Sequence, residues 1–364
     1  MTSSAENKTV LDATRPVRAG EELDAVKLEA YLREHLPGGL DGALEITQFP
    51  AGHSNLTYLL RAGDRELVLR RPPFGSKVKS AHDMGREVKI LGPLSAVYPK
   101  APRPLVHCDD DTILGAPFYV MERISGRILR RTPPKDVDFS PRIARALSES
   151  LIDELAALHA IDWRAAGLSA IGKPEGYVAR QVSGWTKRWQ DAKTDEVPAI
   201  ESVAAWLAQH LPGETDAVLV HNDFKYDNVV LDANDLTRII GVLDWEMSTI
   251  GDPLVDLGVT LGYWIEDGDD PRLLALPFGP TNAPGSLTRR ELATRYAEKT
   301  GRDTSGVLYY FVFALFKTAV VLQQIYYRFR QGLTTDERFA ALGMAVAILG
   351  EFAQKTIGSG VIGR

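Results

Sequence analysis

From Ala43 to Pro72 the chain carries short apolar and polar runs, LEITQF, LTYLLRA and ELVLRRP, separated by AGHSN and by a Gly63-Asp64 turn. Runs of this length, rich in branched residues and bounded by turn formers, predict an antiparallel meander of strands. A polar helical stretch through Met84, Glu87, Ile90 and Leu91 follows and is expected to end at Gly92-Pro93. Two further strand candidates lie around Leu105 and from Pro117 to Ile124. Five short strands and one helix predict a small α+β lobe.

After Gly126 the texture changes to long helical periodicity, as in SESLIDELAALHAI, where Leu151, Leu155 and Leu158 share a face. Helices dominate from there on. The exceptions are AVLVHNDF and RIIGVLDW, two brief β-branched runs that read as short strands ending in polar loops. These patterns divide the chain into a mobile polar extension (1–20), a five-stranded lobe with one helix (21–121), a connecting hinge (122–126) and a mainly helical lobe (127–364). The run from Val307 to Val321 is apolar enough to suggest a membrane span. Lys317 within it, and Gln323, Gln324, Arg328 and Arg330 after it, predict a buried core helix instead.

Composition supports this division. A chain of 364 residues, 45% hydrophobic and 25% charged, can bury the cores of two lobes. Its net charge of -6 argues against a nucleic-acid surface, which needs clustered lysine and arginine. The lone Cys108 excludes an intrachain disulfide and a cysteine-rich zinc site. The opening MTSSAENKTVLDATRPVRAG has no apolar signal core, which leads us to expect a cytoplasmic protein.

Chemistry concentrates in VHNDFKYDNVVLD, where His221, Asp223 and Asn228 form an H-x-D-x-x-x-x-N pattern between two apolar runs. A kinase catalytic loop has this form: a carboxylate beside the attacking hydroxyl, and an oxygen donor five residues on that reaches the metal. One hairpin later, IIGVLDWEMSTIGDPLVDLG offers Asp244 at the end of an apolar strand. Asn228 and Asp244 together supply the hard oxygen ligands that magnesium takes from a protein, the remainder coming from phosphate and water. Lys225 either neutralises the moving phosphoryl group or lies in solvent. His221 reads as a buried loop organiser, Asp252 before Pro253 as a helix N-cap, Asp256 as a brace for the catalytic loop and His159 as a core-edge histidine.

The His221 to Asn228 string followed by LDWEMSTIGDPLVDL closely resembles the aminoglycoside phosphotransferase and choline kinase group of protein-kinase-like enzymes. SNLTYLLR, LVLRRPP and RRELATRYAEKTGRD narrow the likeness to the kinase-like domains found alone in bacteria or fused to acyl-CoA dehydrogenases. The resemblance runs from about Leu44 to Arg330 and implies a bilobal protein-kinase-like fold of class α+β. It also implies roles that pattern alone does not give. The loop FPAGHSNLTY would cover the phosphates through Gly52, His53, Ser54 and Asn55, with one glycine where protein kinases carry three. Arg70 would stand in for the phosphate-contacting lysine and pair with Glu87, with Arg71 as its competitor. Met121, Glu122 and Ile124 would present backbone groups to adenine.

The implied activity is transfer of the γ-phosphoryl group of ATP, with Mg2+, to a small-molecule hydroxyl. Asp223 and Lys225 would be the catalytic side chains, and no nucleic-acid or membrane partner is expected. The helix bearing Phe311, Lys317, Gln323 and Tyr326 is expected to hold the acceptor. Its apolar, aromatic character suits a hydroxylated acyl compound or its coenzyme A ester. An aminoglycoside or amino alcohol is the alternative, for which the acidic run IEDGDD (265–270) would count unless it is a solvated loop. An alternative of another class is a catalytically inactive, nucleotide-binding pseudokinase. A protein kinase is disfavoured because no A-P-E stretch follows Asp244.

Overall fold

The computed structural model describes residues 12–50, 55–74, 83–133, 136–276, 278–334 and 336–363. In chain order the helices are α1 (Ala25–His35), α2 (Met84–Val97), α3 (Asp111–Leu114), α4 (Pro141–His159), α5 (Tyr177–Ala192), α6 (Pro198–Gln209), α7 (Pro253–Gly262), α8 (Pro271–Leu274), α9 (Arg289–Thr300), α10 (Val307–Arg330) and α11 (Leu342–Ser359). The strands are β1 (Glu45–Gln48), β2 (Leu56–Ala62), β3 (Arg65–Arg71), β4 (Pro104–Cys108), β5 (Phe118–Glu122), β6 (Val218–Val220), β7 (Val229–Leu231), β8 (Ile239–Val242) and β9 (Thr249–Gly251). Packing separates two units. The first comprises residues up to Ile128 with Arg164–Ile171 and Asn228–Ser248; the second comprises Leu129–Trp163, Gly172–Asp227 and Thr249 onward.

In the first unit the meander forms as the pattern predicts. Its five strands take the order β1-β2-β3-β5-β4, each antiparallel to its neighbours. Alternation sends Tyr58, Leu60, Leu67, Leu69, Phe118 and Val120 to one face, where Leu28 and Leu32 of α1 join them. Each fully buried leucine contributes roughly 1.5–3 kcal/mol. The sequence reading had no α1, although Asp24 caps it by accepting from Lys27 N. Residues 12–20 also depart from the expected extension. Arg15 and Gln48 exchange backbone hydrogen bonds of 2.9 and 2.8 Å, and the Thr47 hydroxyl donates to that of Thr14. β1 is an edge strand, and this segment covers its open backbone groups.

α2 does not stop at Gly92-Pro93 but runs to Val97 with Pro93 inside it. Proline removes one hydrogen bond, yet Ile90, Leu91 and Leu94 are fully buried on either side, and this packing carries the helix through. β7 and β8 pair as a hairpin that packs with this sheet unit rather than with the helices. Arg127 N donates to Leu231 O at 2.9 Å and Leu231 N to Arg127 O at 2.7 Å. Gly126 is required there, because a Cβ would lie 2.3 Å from Leu231 O.

The second unit is mainly helical, with β6 and β9 as a two-stranded antiparallel ribbon. α10 packs against α5, α6, α7 and α11. By length and composition α10 is capable of crossing a membrane, as is the segment Glu337–Ser359, but 72% of the most apolar window of α10 is buried inside the protein. The acidic run 265–270 is a loop exposed at Asp267 and Gly268, but Glu266 and Asp269 turn inward. The Glu266 side chain accepts from Arg289 N at 2.5 Å, and Asp269 accepts from the Arg289 guanidinium at 3.0 Å. These carboxylates are spent on a buried arginine.

Candidate active site

In the second unit β6 ends at Val220, and the next residues are fastened from below by Asp256. His221 N donates to Asp256 Oδ2 at 2.6 Å and Asn222 N to Oδ1 at 2.7 Å. Asp256 lies in the first turn of α7, where the unpaired amides of a helix start favour negative charge. That helix begins as its sequence predicts: Asp252 accepts from Leu254 N at 2.8 Å, with Pro253 at the first helical position. His159 is fully in the core rather than at its edge, with one ring nitrogen 3.2 Å from Asp256 Oδ2 and the other 2.7 Å from the Tyr296 hydroxyl. Burial alone would raise the pKa of Asp256. The His159 hydrogen bond and the nearby histidines outweigh it, and the net direction is down.

Asn222 adopts a left-handed φ of 65°, which ordinary side chains avoid. Its side-chain oxygen accepts from the Tyr177 hydroxyl at 2.9 Å and its carbonyl from Lys317 Nζ at 2.5 Å. Asp223 follows, its side chain 17% exposed, with Lys225 Nζ 2.9 and 3.0 Å from its two oxygens. Burial works to raise the pKa of Asp223, but the ammonium groups of Lys225 and Lys317 hold it below the ordinary carboxylate value. Lys225 also lies 4.4 Å from the centre of the Tyr263 ring, so it is not a free lysine in solvent. Burial lowers Lys317 to about 8, against the opposing pull of Asp223 and Asp256. Of the expected acceptor helix, Phe311 is fully buried and Gln323 donates to Ala192 O at 2.9 Å, so both belong to the core.

The first unit carries the other group of expected residues. Asn228 O accepts from Leu243 N at 2.8 Å, which puts Asn228 and Asp244 at the same end of the β7–β8 hairpin. Asp244 has φ 67°; among the described residues it and Asn222 are the non-glycine positions with positive φ. Such strain is held where surrounding structure over-determines it, often at functional sites. Trp245 is buried behind Asp244 and donates to Val242 O at 2.9 Å. Arg70 Nη1 donates to Glu87 Oε1 at 2.6 Å, and Nη2 lies 3.0 Å from Asp244 and 3.5 Å from Glu246. Burial pushes the Glu87 carboxyl upward, and Arg70 opposes that rise.

Arg71, on the opposite face of the strand, donates to Leu114 O at 3.0 Å and lies over the Phe74 ring, away from these carboxylates. Asn55 Nδ2 donates to Glu246 Oε2 at 2.7 Å, a partner the sequence reading missed. Gly52, His53 and Ser54 lie outside the described residues. Of the residues expected to face adenine, Met121 is buried, Glu122 N donates to Arg103 O at 2.9 Å, and Ile124 packs on Gly241.

The donors fit magnesium. An amide oxygen and a carboxylate stand at one end of a hairpin, with the Asp244 side chain 33% exposed. Among the described residues no cluster of three histidine, cysteine or acidic side chains offers a complete cage. Magnesium commonly takes one or two carboxylates and fills its shell with phosphate and water.

The model of the phosphotransferase enzyme family matches residues 45–290. Acyl-CoA dehydrogenase family member 11 of Rattus norvegicus is 38% identical over 340 residues, covering 90% of this chain and 43% of that protein. The chain thus spans under half the length of this relative. A solved structure from Ralstonia eutropha, proposed to be an aminoglycoside phosphotransferase, superposes with a TM-score of 0.77 at 28% identity over 94% of this chain and all of that one. A thermostable mutant of an aminoglycoside phosphotransferase, in ternary complex with AMP-PNP and hygromycin B, shares the fold at 17% identity and a TM-score of 0.57, covering 92% of this chain and 100% of that one.

Proposed function

Because the chain belongs to the phosphotransferase enzyme family and has its kinase-like fold, we propose that it transfers the γ-phosphoryl group of ATP to the hydroxyl of a small molecule. The observation that carries this reading is Asp223, a partly buried carboxylate kept ionised by Lys225 at 2.9 Å on a loop tied down by Asp256. Asp223 accepts the acceptor's O–H and orients its oxygen in line with the γ-phosphorus. As the new O–P bond forms and the bond to the ADP oxygen breaks, the hydroxyl proton passes to Asp223. Lys225 offsets charge on the transferring oxygens. Asn228 and Asp244 would hold Mg2+, which when bound supplies charge neutralisation to the phosphates. Arg70, fixed by Glu87, and the loop at Gly52 to Asn55 would contact the phosphates. Met121, Glu122 and Ile124 would face adenine. The AMP-PNP bound in the related structure supports ATP as the donor.

For the acceptor we propose a hydroxylated acyl compound or its coenzyme A ester. The ammonium group of Lys225 stands beside Asp223 and that of Lys317 acts on it, which supports an acceptor that carries an anionic group. Of the acids in 265–270, Glu266 and Asp269 are committed to Arg289 and Asp270 to Arg272, which leaves no dense acidic site for a polycationic antibiotic. The name of the Rattus norvegicus relative supports an acyl compound.

The test is phosphoryl transfer from ATP-Mg to a panel of hydroxy acids, hydroxyacyl-CoA esters, amino alcohols, sugars and aminoglycosides, read by 31P NMR. Asp223→Asn should lower kcat by ~10²-fold or more with ATP affinity retained. Normal turnover in that variant defeats the assignment. Absence of transfer across the panel, with ATP still raising Tm, makes the chain a nucleotide-binding module.

A further inference from the structure

The residue before Asp223 is held at every backbone polar atom. Asn222 N is bound by Asp256 at 2.7 Å, its side-chain oxygen by Tyr177 at 2.9 Å and its carbonyl by Lys317 at 2.5 Å, all at a φ of 65°. Two of these anchors are neutral or local to the loop's own brace. The third is an ammonium group brought from the middle of α10, an otherwise apolar helix, across 95 positions of sequence. Lys317 is only 5% exposed. Burying an ammonium costs several kcal/mol, and a single carbonyl does not repay that. A core that needed only volume at this position would be served as well by methionine.

The charges around Lys317 offset part of that cost. Asp223 on the loop and Asp256 on α7 attract it; Lys225 on the loop and Arg188 on α5 oppose it. The Trp185 ring on α5, with its centre 5.7 Å from Nζ, completes the surroundings. The charge of Lys317 therefore acts on the same carboxylate whose backbone its hydrogen bond fixes.

We propose that Lys317 is a positioning residue for phosphoryl transfer, which clamps the Asn222 carbonyl to aim Asp223 and sets its charge against that carboxylate. The inference rests on the reading that Asp223 receives the acceptor hydroxyl. It separates two effects of one side chain. Lys317→Met removes both the donor and the charge, and Lys317→Gln keeps a donor for the Asn222 carbonyl while removing the charge. Lys317→Arg keeps the charge.

The experiment titrates the Asp223 carboxyl by 13C NMR in the full chain, its signal identified by its loss in Asp223→Asn. In Lys317→Met and Lys317→Gln the Asp223 midpoint should rise by about 0.5–1 pH unit, and Lys317→Arg should return it toward wild type. In turnover, Lys317→Met should lose about 10–100-fold in kcat with KM for ATP unchanged, and Lys317→Gln should lose less. The acid limb of its pH profile should move to higher pH with the Asp223 midpoint. A Lys317 with only a packing role would leave the Asp223 midpoint in place, and that result overturns the proposal. If Lys317→Met does not fold, the Gln variant carries the same decision. Should wild type transfer no phosphoryl group, the reading of Asp223 fails, while the titration still decides whether Lys317 governs that carboxylate.

Discussion

Asp256→Asn isolates the brace beneath the catalytic loop. The carboxylate is fully buried and accepts three hydrogen bonds, from His221 N at 2.6 Å, Asn222 N at 2.7 Å and a His159 ring nitrogen at 3.2 Å. Asparagine has the same shape, but one of its two ends becomes an NH2 that must face an N–H donor. One charge-assisted hydrogen bond, worth about 1.5–3 kcal/mol, is lost, and the buried N–H left behind costs roughly 1–3 kcal/mol more. The remaining contacts become neutral ones, and the helix N-terminus loses its anion at a cost of ~0.3–1 kcal/mol. We expect a total near ~4 kcal/mol, which in a domain of about 200 residues lowers Tm by roughly 10 °C. Urea unfolding at pH 7 measures the loss directly.

Its pH dependence supplies a second check. The folded-state pKa of Asp256 is lowered, so its stabilisation is fully present above the unfolded value of about 3.9 and disappears as pH falls through the folded value. The gap between wild type and Asp256→Asn should therefore hold from neutrality down to about pH 4 and narrow below it. A variant within ~1 kcal/mol of wild type at pH 7, or a gap that stays constant on acidification, would refute the account of Asp256 as an ionised brace.

Three further substitutions test the first unit. Arg70→Met leaves Glu87 buried without its cation and should cost ~3–5 kcal/mol in urea unfolding and weaken ATP binding more than about tenfold. Arg71→Met strands the Leu114 and Pro72 carbonyls, so it should cost ~1–3 kcal/mol and leave ATP affinity unchanged by calorimetric titration; equal losses of affinity in the two would contradict the assignment. Gly126→Ala places a methyl group 2.3 Å from Leu231 O and should destabilise by ~1–3 kcal/mol in thermal unfolding, with a neutral result arguing against this close backbone contact.

The β meander was legible because alternation with period two is a local property, and the helical half because its apolar spacing is local too. α1 was missed although Asp24 and the buried pair Leu28 and Leu32 mark it, since the strand runs that define the lobe begin only at Ala43. Residues 12–20 take their order from the open edge of β1, which no composition rule reveals. Spacing also marked Asp223, Asn228 and Asp244 as candidates, because loop chemistry requires fixed intervals along the chain. The Arg70-Arg71 doublet was different. Consecutive strand residues face opposite sides, and only the partners, Glu87 and Asp244 for one and Leu114 for the other, decide between them.

Lys317 shows where local reading ends. The run VFALFKTAVV signals that one charged residue inside an apolar helix has a buried partner, because an unpaired ammonium there is prohibitively costly. It does not name that partner, since Asn222 lies 95 positions away and is reached only after α5, α7 and α10 have packed. Polar residues inside apolar helices are therefore the positions at which a sequence announces a long-range contact without giving its address. Here the address is the backbone of the proposed catalytic loop, so the cost of burying Lys317 and the strain at Asn222 are two sides of the same contact.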